Sequence, residues 1–249
     1  MGTIETNISN NIATITFYHP SSNSFPSSLL QKLTNEIDSL SKNDLVSILV
    51  LKSAGDGAFC AGASFNELLA VSNYEEGSDF FSGFANVINA MRRCPKIIVG
   101  RIHGKAVGGG VGLSAACDYT FATTKSDIKL SEIAIGIGPF VIEPAVSRKI
   151  GKVAMSEMTL TPTVWKTSKW ALEKGLYTEV FESIEALDER LNEYLNELAT
   201  YNYEALAEIK KVLWQDTQHW ETLLYERAAI SGRLVLSDFT KKALEKFKK

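Results

Sequence analysis

Only three cysteines, Cys60, Cys94 and Cys117, occur among 249 residues, and no two stand as a CxxC pair. A disulfide framework or a thiolate metal site is therefore not expected, and buried thiols in a reducing compartment are. No stretch approaches 18 uninterrupted apolar residues, so no membrane-spanning helix is expected. The opening MGTIETNISNNIATITF has neither a basic start nor a continuous apolar segment, so a signal peptide is not expected either. MGTIET nominally fits a myristoylation pattern, but no polybasic partner follows and lipidation is not expected. An excess of positive charge is also missing. The net charge is −3, which argues against nucleic acid or an anionic membrane as the main partner. The expected location is the cytoplasm. Repeats and low-complexity segments are absent, and the short basic tail KKALEKFKK reads as a solvated helix end.

What is present describes an ordinary globular chain, 45% hydrophobic and 22% charged. Thr3 to Ser9 and Ile12 to Tyr18 alternate around Asn10-Asn11 and predict a hairpin. Leu30, Leu33, Ile37 and Leu40 have helical spacing, as does the stretch from Phe80 to Met91. Short apolar runs at Ser47 to Leu51, Ile97 to Ile102 and Tyr119 to Thr123 suit strands buried on both faces. Strand and helix thus alternate, which predicts an α/β fold with a largely parallel sheet. Beyond about Thr161 the pattern turns helical. Leu187, Leu191, Tyr194, Leu195 and Leu198 mark one amphipathic helix, and Leu206, Ile209 and Leu213 another. Ala228 to Leu236 and Phe239 to Phe247 predict two more. Their apolar stripes need a partner, either the α/β core or a neighbouring subunit.

GKAVGGGVGLSAACD, Gly104 to Asp118, places its glycines between a predicted strand and a helix expected from Val111 to Cys117. Main-chain N–H groups at such a helix start lack intrahelical acceptors and sit at the positive end of the dipole. Two nucleotide motifs fail here. GxxxxGK[ST] is absent, and GxGxxG from Gly108 ends on Leu113. A second turn rich in small residues, GDGAFCAGASFNEL, lies at Gly55 to Leu68, and KLSEIAIGIGP at Lys129 to Pro139 holds one acidic residue. Two sets of N–H groups plus a carboxylate are what enolate chemistry requires, the amides for an oxyanion and the carboxylate for protons.

Together the HPSSN entry (His19 to Asn23), FCAGASFNEL, PKIIVGRIHGKAVGGGVGLSAACD, SEIAIGIGP and KGLYTEVF resemble the crotonase superfamily, the enoyl-CoA hydratases and isomerases, over essentially the whole chain. The resemblance implies a crotonase-like core of repeated ββα units over residues 1–185. A helical region for capping or oligomerisation follows over residues 186–249, and the assembly is a homotrimer or dimer of trimers. It implies an acyl-CoA thioester substrate, no metal, and no cofactor beyond the coenzyme A carried by that substrate. Ala63 and Gly109 match the two oxyanion donors and Glu132 the later catalytic glutamate. Ser22, Ala61, Ser64, Gly108 and Pro139 match positions that contact substrate or coenzyme A.

The earlier glutamate of the hydratases is here Gly112, and Ser64 stands where many members have aspartate. GPFVIEP replaces a glycine-rich stretch and brings Glu143, a candidate second acid whose alternative role is a helix-start carboxylate or a surface ion pair. A single glutamate resembles the double-bond isomerases more than the hydratases. Hydration of a short or branched enoyl-CoA, and acyl-CoA binding without turnover, are the alternatives. His103 is expected to be packed, His219 to lie on the surface, Asp118 to bond to backbone, and Asn23 to fix its loop.

Overall fold

The computed structural model describes residues 2–246. Strands β1 (Thr3–Ser9) and β2 (Ile12–Tyr18) pair antiparallel. Asn10 and Asn11 between them have φ of 51° and 62°, the left-handed pair that a two-residue hairpin demands. Helix α1 (Ser27–Ser41) buries Leu30, Leu33, Ile37 and Leu40. Next come β3 (Ile48–Ser53), α2 (Phe65–Ala70) and α3 (Tyr74–Arg93), the last capped by the Asn73 side chain. The chain continues through β4 (Ile97–Ile102), β5 (Ala106–Val107), α4 (Gly109–Ala116), β6 (Tyr119–Thr123) and β7 (Ile128–Lys129). A 3-10 turn (Glu132–Ile135) leads into α5 (Glu143–Leu160), α6 (Ser168–Glu173) and β8 (Glu179–Phe181). Helices α7 (Ile184–Leu198), α8 (Tyr203–Leu213), α9 (Trp220–Leu234) and α10 (Asp238–Glu245) complete the chain. The expected last helix extends to Phe247, which lies outside the described residues, as do the final two lysines of the basic tail.

Six strands form one sheet in the order β1-β2-β3-β4-β6-β8, parallel except for the first pair. After each main strand the chain makes a shorter pairing in a second layer. Phe25 bridges Ala63, Cys60 bridges Ala106, and β5 pairs with β7. A strand, a short strand and a helix therefore recur, and the α/β, crotonase-like expectation describes the fold. The glycine run differs from its expectation in one respect. β5 intervenes between β4 and the helix, and α4 starts at Gly109 rather than Val111, because residues 106 and 107 find partners in β7 that are remote in sequence.

β3 is buried on both faces. Leu49 and Leu51 join the larger core with α1 and α3, while Ile48 and Val50 pack under Leu187, Leu191 and Leu195 of α7. The α7 stripe thus finds its partner on the outer face of the sheet, where Arg101 and Asp188 add a two-point ion pair at 2.5 and 2.8 Å. α8 departs from its expected stripe. Ile209 and Leu213 are exposed and Lys210 is buried instead. The cause is Asp118 at the α4–β6 junction, whose Oδ2 lies 3.0 Å from Lys210 Nζ and accepts from Ile98 N–H at 2.7 Å. Its Oδ1 accepts from the Trp214 indole at 2.6 Å. The ion pair, the Trp214 bond and a bond from Lys210 Nζ to Lys96 O at 2.8 Å hold this face of α8 inward. Among the described residues no helix is long and apolar enough to cross a membrane.

Candidate active site

The second-layer pairings bring the two small-residue turns together. Phe25 N–H donates to Gly62 O at 2.8 Å and Ser64 N–H to Phe25 O at 2.9 Å, which holds Ala63 between them. Val107 N–H donates to Cys60 O at 2.9 Å, and Gly108 N–H to Lys129 O at 3.0 Å. These bonds place the start of α4 beside the first turn. A methyl group on Gly62 would sit 3.6 Å from Gly109 N. Among the described residues, no acceptor is bonded to the N–H of Ala63 or of Gly109. Gly109 is the first residue of α4, where no intrahelical acceptor exists.

Both turns line a cleft of about 160 Å³ whose walls include Ala61, Ala63, Gly108, Gly109, Glu132 and Pro139. Glu132 begins the 3-10 turn after β7. Gly108 has φ +52°, and a methyl group there would meet Glu132 Oε1 at 2.7 Å. The left-handed backbone and the close carboxylate both require glycine at this position. Glu132 Oε2 is buried without a hydrogen-bond partner. Burial raises its pKa to about 7, against a smaller opposing effect of the main-chain N–H groups of Glu132 and Ser131. A carboxyl group poised near neutrality and aimed into a cleft can both take and return a proton.

The remaining expected residues sit elsewhere. Ser22 is exposed, with φ +53°, and its carbonyl accepts from Ala61 N–H at 3.1 Å. It shapes the neighbouring turn without lining the cleft. Ser64 is the N-cap of α2, accepting from Glu67 N–H at 3.4 Å, and also lies outside the cleft walls. Asn23 fixes its loop, bonding His19 N–H, Ala54 O and Ala58 O at 2.9 to 3.0 Å. His103 is buried and His219 exposed at the start of α9. Cys60 and Cys117 are buried, and desolvation pushes both thiols up to about 12, so neither is a nucleophile at neutral pH.

Glu143 lines a different groove, with Lys152, Met155 and Arg227. Its carboxylate accepts from Ser147 Oγ at 2.6 Å, pairs with Lys152, and lies 3.9 Å from Arg227. Burial alone would raise its pKa, but these partners together hold it below the ordinary value. The helix-start carboxylate in an ion pair is the role the geometry shows. The Gly112 position is packed as well. A methyl group there would meet Ile142 Cγ2 at 2.4 Å, so the FVIE segment occupies the space a side chain at residue 112 would need.

Several wall residues carried no signal in the sequence. Phe80, Phe81 and Phe84 come from α3, where aromatic residues at helical spacing read simply as core. Ser231 comes from α9, more than a hundred residues beyond the glycine turns. α9 packs along α3, and α10 sets Phe239 and Thr240 against Gly136, just after the 3-10 turn. The helical end therefore closes over its own cleft.

The enoyl-CoA hydratase/isomerase family model matches residues 7–248. An enoyl-CoA hydratase of Alternaria alternata is 31% identical over 177 residues, 71% of this chain and 57% of that protein. The mitochondrial methylglutaconyl-CoA hydratase of Homo sapiens is 33% identical over 117 residues, 47% of this chain and 34% of its own. The matched part of the chain thus spans about half the length, or less, of these curated relatives. A crystal structure of enoyl-CoA hydratase from Bacillus halodurans superposes with a TM-score of 0.89 at 24% identity, covering 98% of this chain and 99% of that one. One from Mycobacterium avium gives 0.87 at 23%, covering 98% and 95%. At that identity the two structures speak to fold alone. With a family model covering nearly the whole chain, on a fold that brings both small-residue turns to one cleft, this protein belongs to the enoyl-CoA hydratase/isomerase family of the crotonase superfamily.

Proposed function

We propose that the chain is an enzyme that moves the double bond of an enoyl-CoA, with Glu132 as the single proton shuttle. The observation that carries the reading is that, among the described residues, one ionisable group lines the cleft. Glu132 has an unpartnered oxygen and a pKa near 7, while Gly112 offers no carboxylate and Glu143 is held in its own ion pairs. In a 3-enoyl thioester, Glu132 removes a proton from C2, and the electron pair delocalises onto the thioester oxygen as a dienolate. The N–H groups of Ala63 and Gly109 donate to that oxygen. Glu132 then returns the proton at C4, which leaves the double bond between C2 and C3. Loss of one such donor costs about 3–4 kcal/mol of transition-state stabilisation in other enzymes. The reaction needs no cofactor beyond the coenzyme A carried by the substrate.

Hydration of a short or branched 2-enoyl-CoA is the second reading, favoured by the names of the Alternaria and human relatives. It requires a group other than Glu143 to orient water, since that carboxylate is engaged elsewhere. Product analysis on paired 2-enoyl and 3-enoyl thioesters tests both. A shifted double bond at unchanged mass supports isomerisation. A mass gain of one water supports hydration. Binding without either product returns the chain to a ligand-holding role.

The same reading assembles the protein as a homotrimer or dimer of trimers. Large apolar side chains left exposed on one chain, such as Val153, Leu160, Val212 and Leu213, support it.

A further inference from the structure

We propose that the cleft selects a neutral acyl tail with about the bulk of a six-carbon group, and rejects a tail that ends in a second carboxylate. The inference rests on the thioester reading above and concerns the whole acyl group, the reacting carbons included. Apart from the glycine turns and Glu132, the cleft is lined largely by apolar side chains, among them Leu68, Phe80, Phe81, Ile137, Phe140 and Ile142. Among the described lining residues Glu132 is the only ionisable side chain, and Ser131 and Ser231 supply the only hydroxyls.

An ionised group needs a counter-charge or a full set of hydrogen bonds to leave water. A distal carboxylate in this cleft would meet phenylalanine rings and a second negative charge. Lys152 and Arg227 are paired with Glu143 in a groove on the other side of Pro139 and Phe140, which line both. Lys129 belongs to an adjoining groove, with its ammonium 4.4 Å from the centre of the Trp165 ring. A second carboxylate would also favour the protonated form of Glu132 and remove the base from the reaction. The size follows from the volume. A dry apolar cavity of about 150 Å³ holds benzene in another protein, and this cleft measures about 160 Å³.

The test uses saturated thioesters, which cannot react, titrated into the purified protein by calorimetry. Acetyl-, butanoyl-, hexanoyl-, dodecanoyl- and adipoyl-CoA form the series, with free coenzyme A as reference. Affinity should rise about fourfold per methylene from acetyl to hexanoyl and level off beyond it. Adipoyl-CoA should bind at least thirtyfold more weakly than hexanoyl-CoA. Phe81→Arg, at a half-buried wall position, should narrow that gap at least tenfold; an unchanged gap would mean the apolar wall does not set it. Adipoyl binding within threefold of hexanoyl, or a rise that continues to dodecanoyl, overturns the inference. So does hexanoyl-CoA binding no tighter than free coenzyme A. Failure of the isomerase reading is seen separately, as tail discrimination in a protein that turns over neither unsaturated thioester.

Discussion

At the scale of single residues, the proposed chemistry depends on the burial of Glu132 and on a carboxyl oxygen left without a hydrogen-bond partner. Its carboxyl has an ordinary pKa of 4.5 and is pushed up to about 7 by burial. If it acts as the proposed base, it must be ionised in the free enzyme, so kcat/KM should rise with pH through about 7 and level off above. Glu132→Gln should lower kcat by 10²–10⁴, the usual worth of acid–base catalysis, with little change in the affinity for a saturated acyl-CoA. An unaltered kcat removes Glu132 from the mechanism. Linkage gives a second readout. Because the folded pKa lies above the unfolded one, the group's contribution to stability is full below pH 4.5 and is lost as pH rises through 7. Glu132→Gln should therefore raise Tm at pH 8 and lose that advantage below pH 4.5. Gly112 makes a complementary case. Gly112→Glu alone collides with Ile142 and should cost about 1–3 kcal/mol through overpacking. Paired with Ile142→Gly, it should yield hydroxyacyl-CoA from a 2-enoyl-CoA. Absence of that product from a folded double variant would show that a second carboxylate is not what the site lacks for hydration.

At the scale of elements, the site stands on pairings between remote segments. Phe25 fixes Ala63, β7 fixes Gly108, and α10 rests on the turn that carries Glu132. A buried polar tie runs from Asp118 to α8. The side chains of Asp118 and Lys210 are 3% and 2% exposed, and the Trp214 indole, Ile98 N–H and Lys96 O also join the cluster. Asp118→Ala leaves a buried ammonium without its counter-charge. The expected loss is about 3–5 kcal/mol, measured by urea unfolding. If the loss stays below about 1 kcal/mol, α8 is anchored by its apolar contacts instead. Asp118 lies at the far end of α4 from Gly109, so kcat of the folded fraction should change little.

At the scale of the whole molecule, the helical end divides its work. α7 covers the outer face of the sheet, while α9 and α10 close over the cleft. α8 is held by its ion pair and leaves Ile209, Val212 and Leu213 in solvent. Apolar side chains gathered on one helix face without cover are candidates for a contact with another chain. On the trimer or dimer-of-trimers reading proposed above, light scattering should report three or six chains per particle. Val212→Glu combined with Leu213→Lys should shift the distribution towards single chains if this face is the contact. A particle of unchanged size would move the interface to the exposed Val153 and Leu160 on α5.

Local pattern was enough for the hairpin, the buried strands and the α7 stripe, because period-two and 3.6-residue spacing are written in consecutive residues. It also marked two turns of small residues and one carboxylate in an apolar run, while the choice of Ala63, Gly109 and Glu132 within them came from the resemblance to the crotonase superfamily. What only the tertiary structure decided is which partners those positions meet. The inward face of α8 was set by a carboxylate about ninety residues upstream, against the apolar periodicity. Glu143 went to Lys152 and Arg227, Ser64 to a helix cap, and the space beside Gly112 to Ile142. Ser231 and the α3 phenylalanines reached the cleft through packing between distant helices. Sequence spacing sets the direction of a side chain within its own element; the group it faces belongs to another element and is chosen when the layers close.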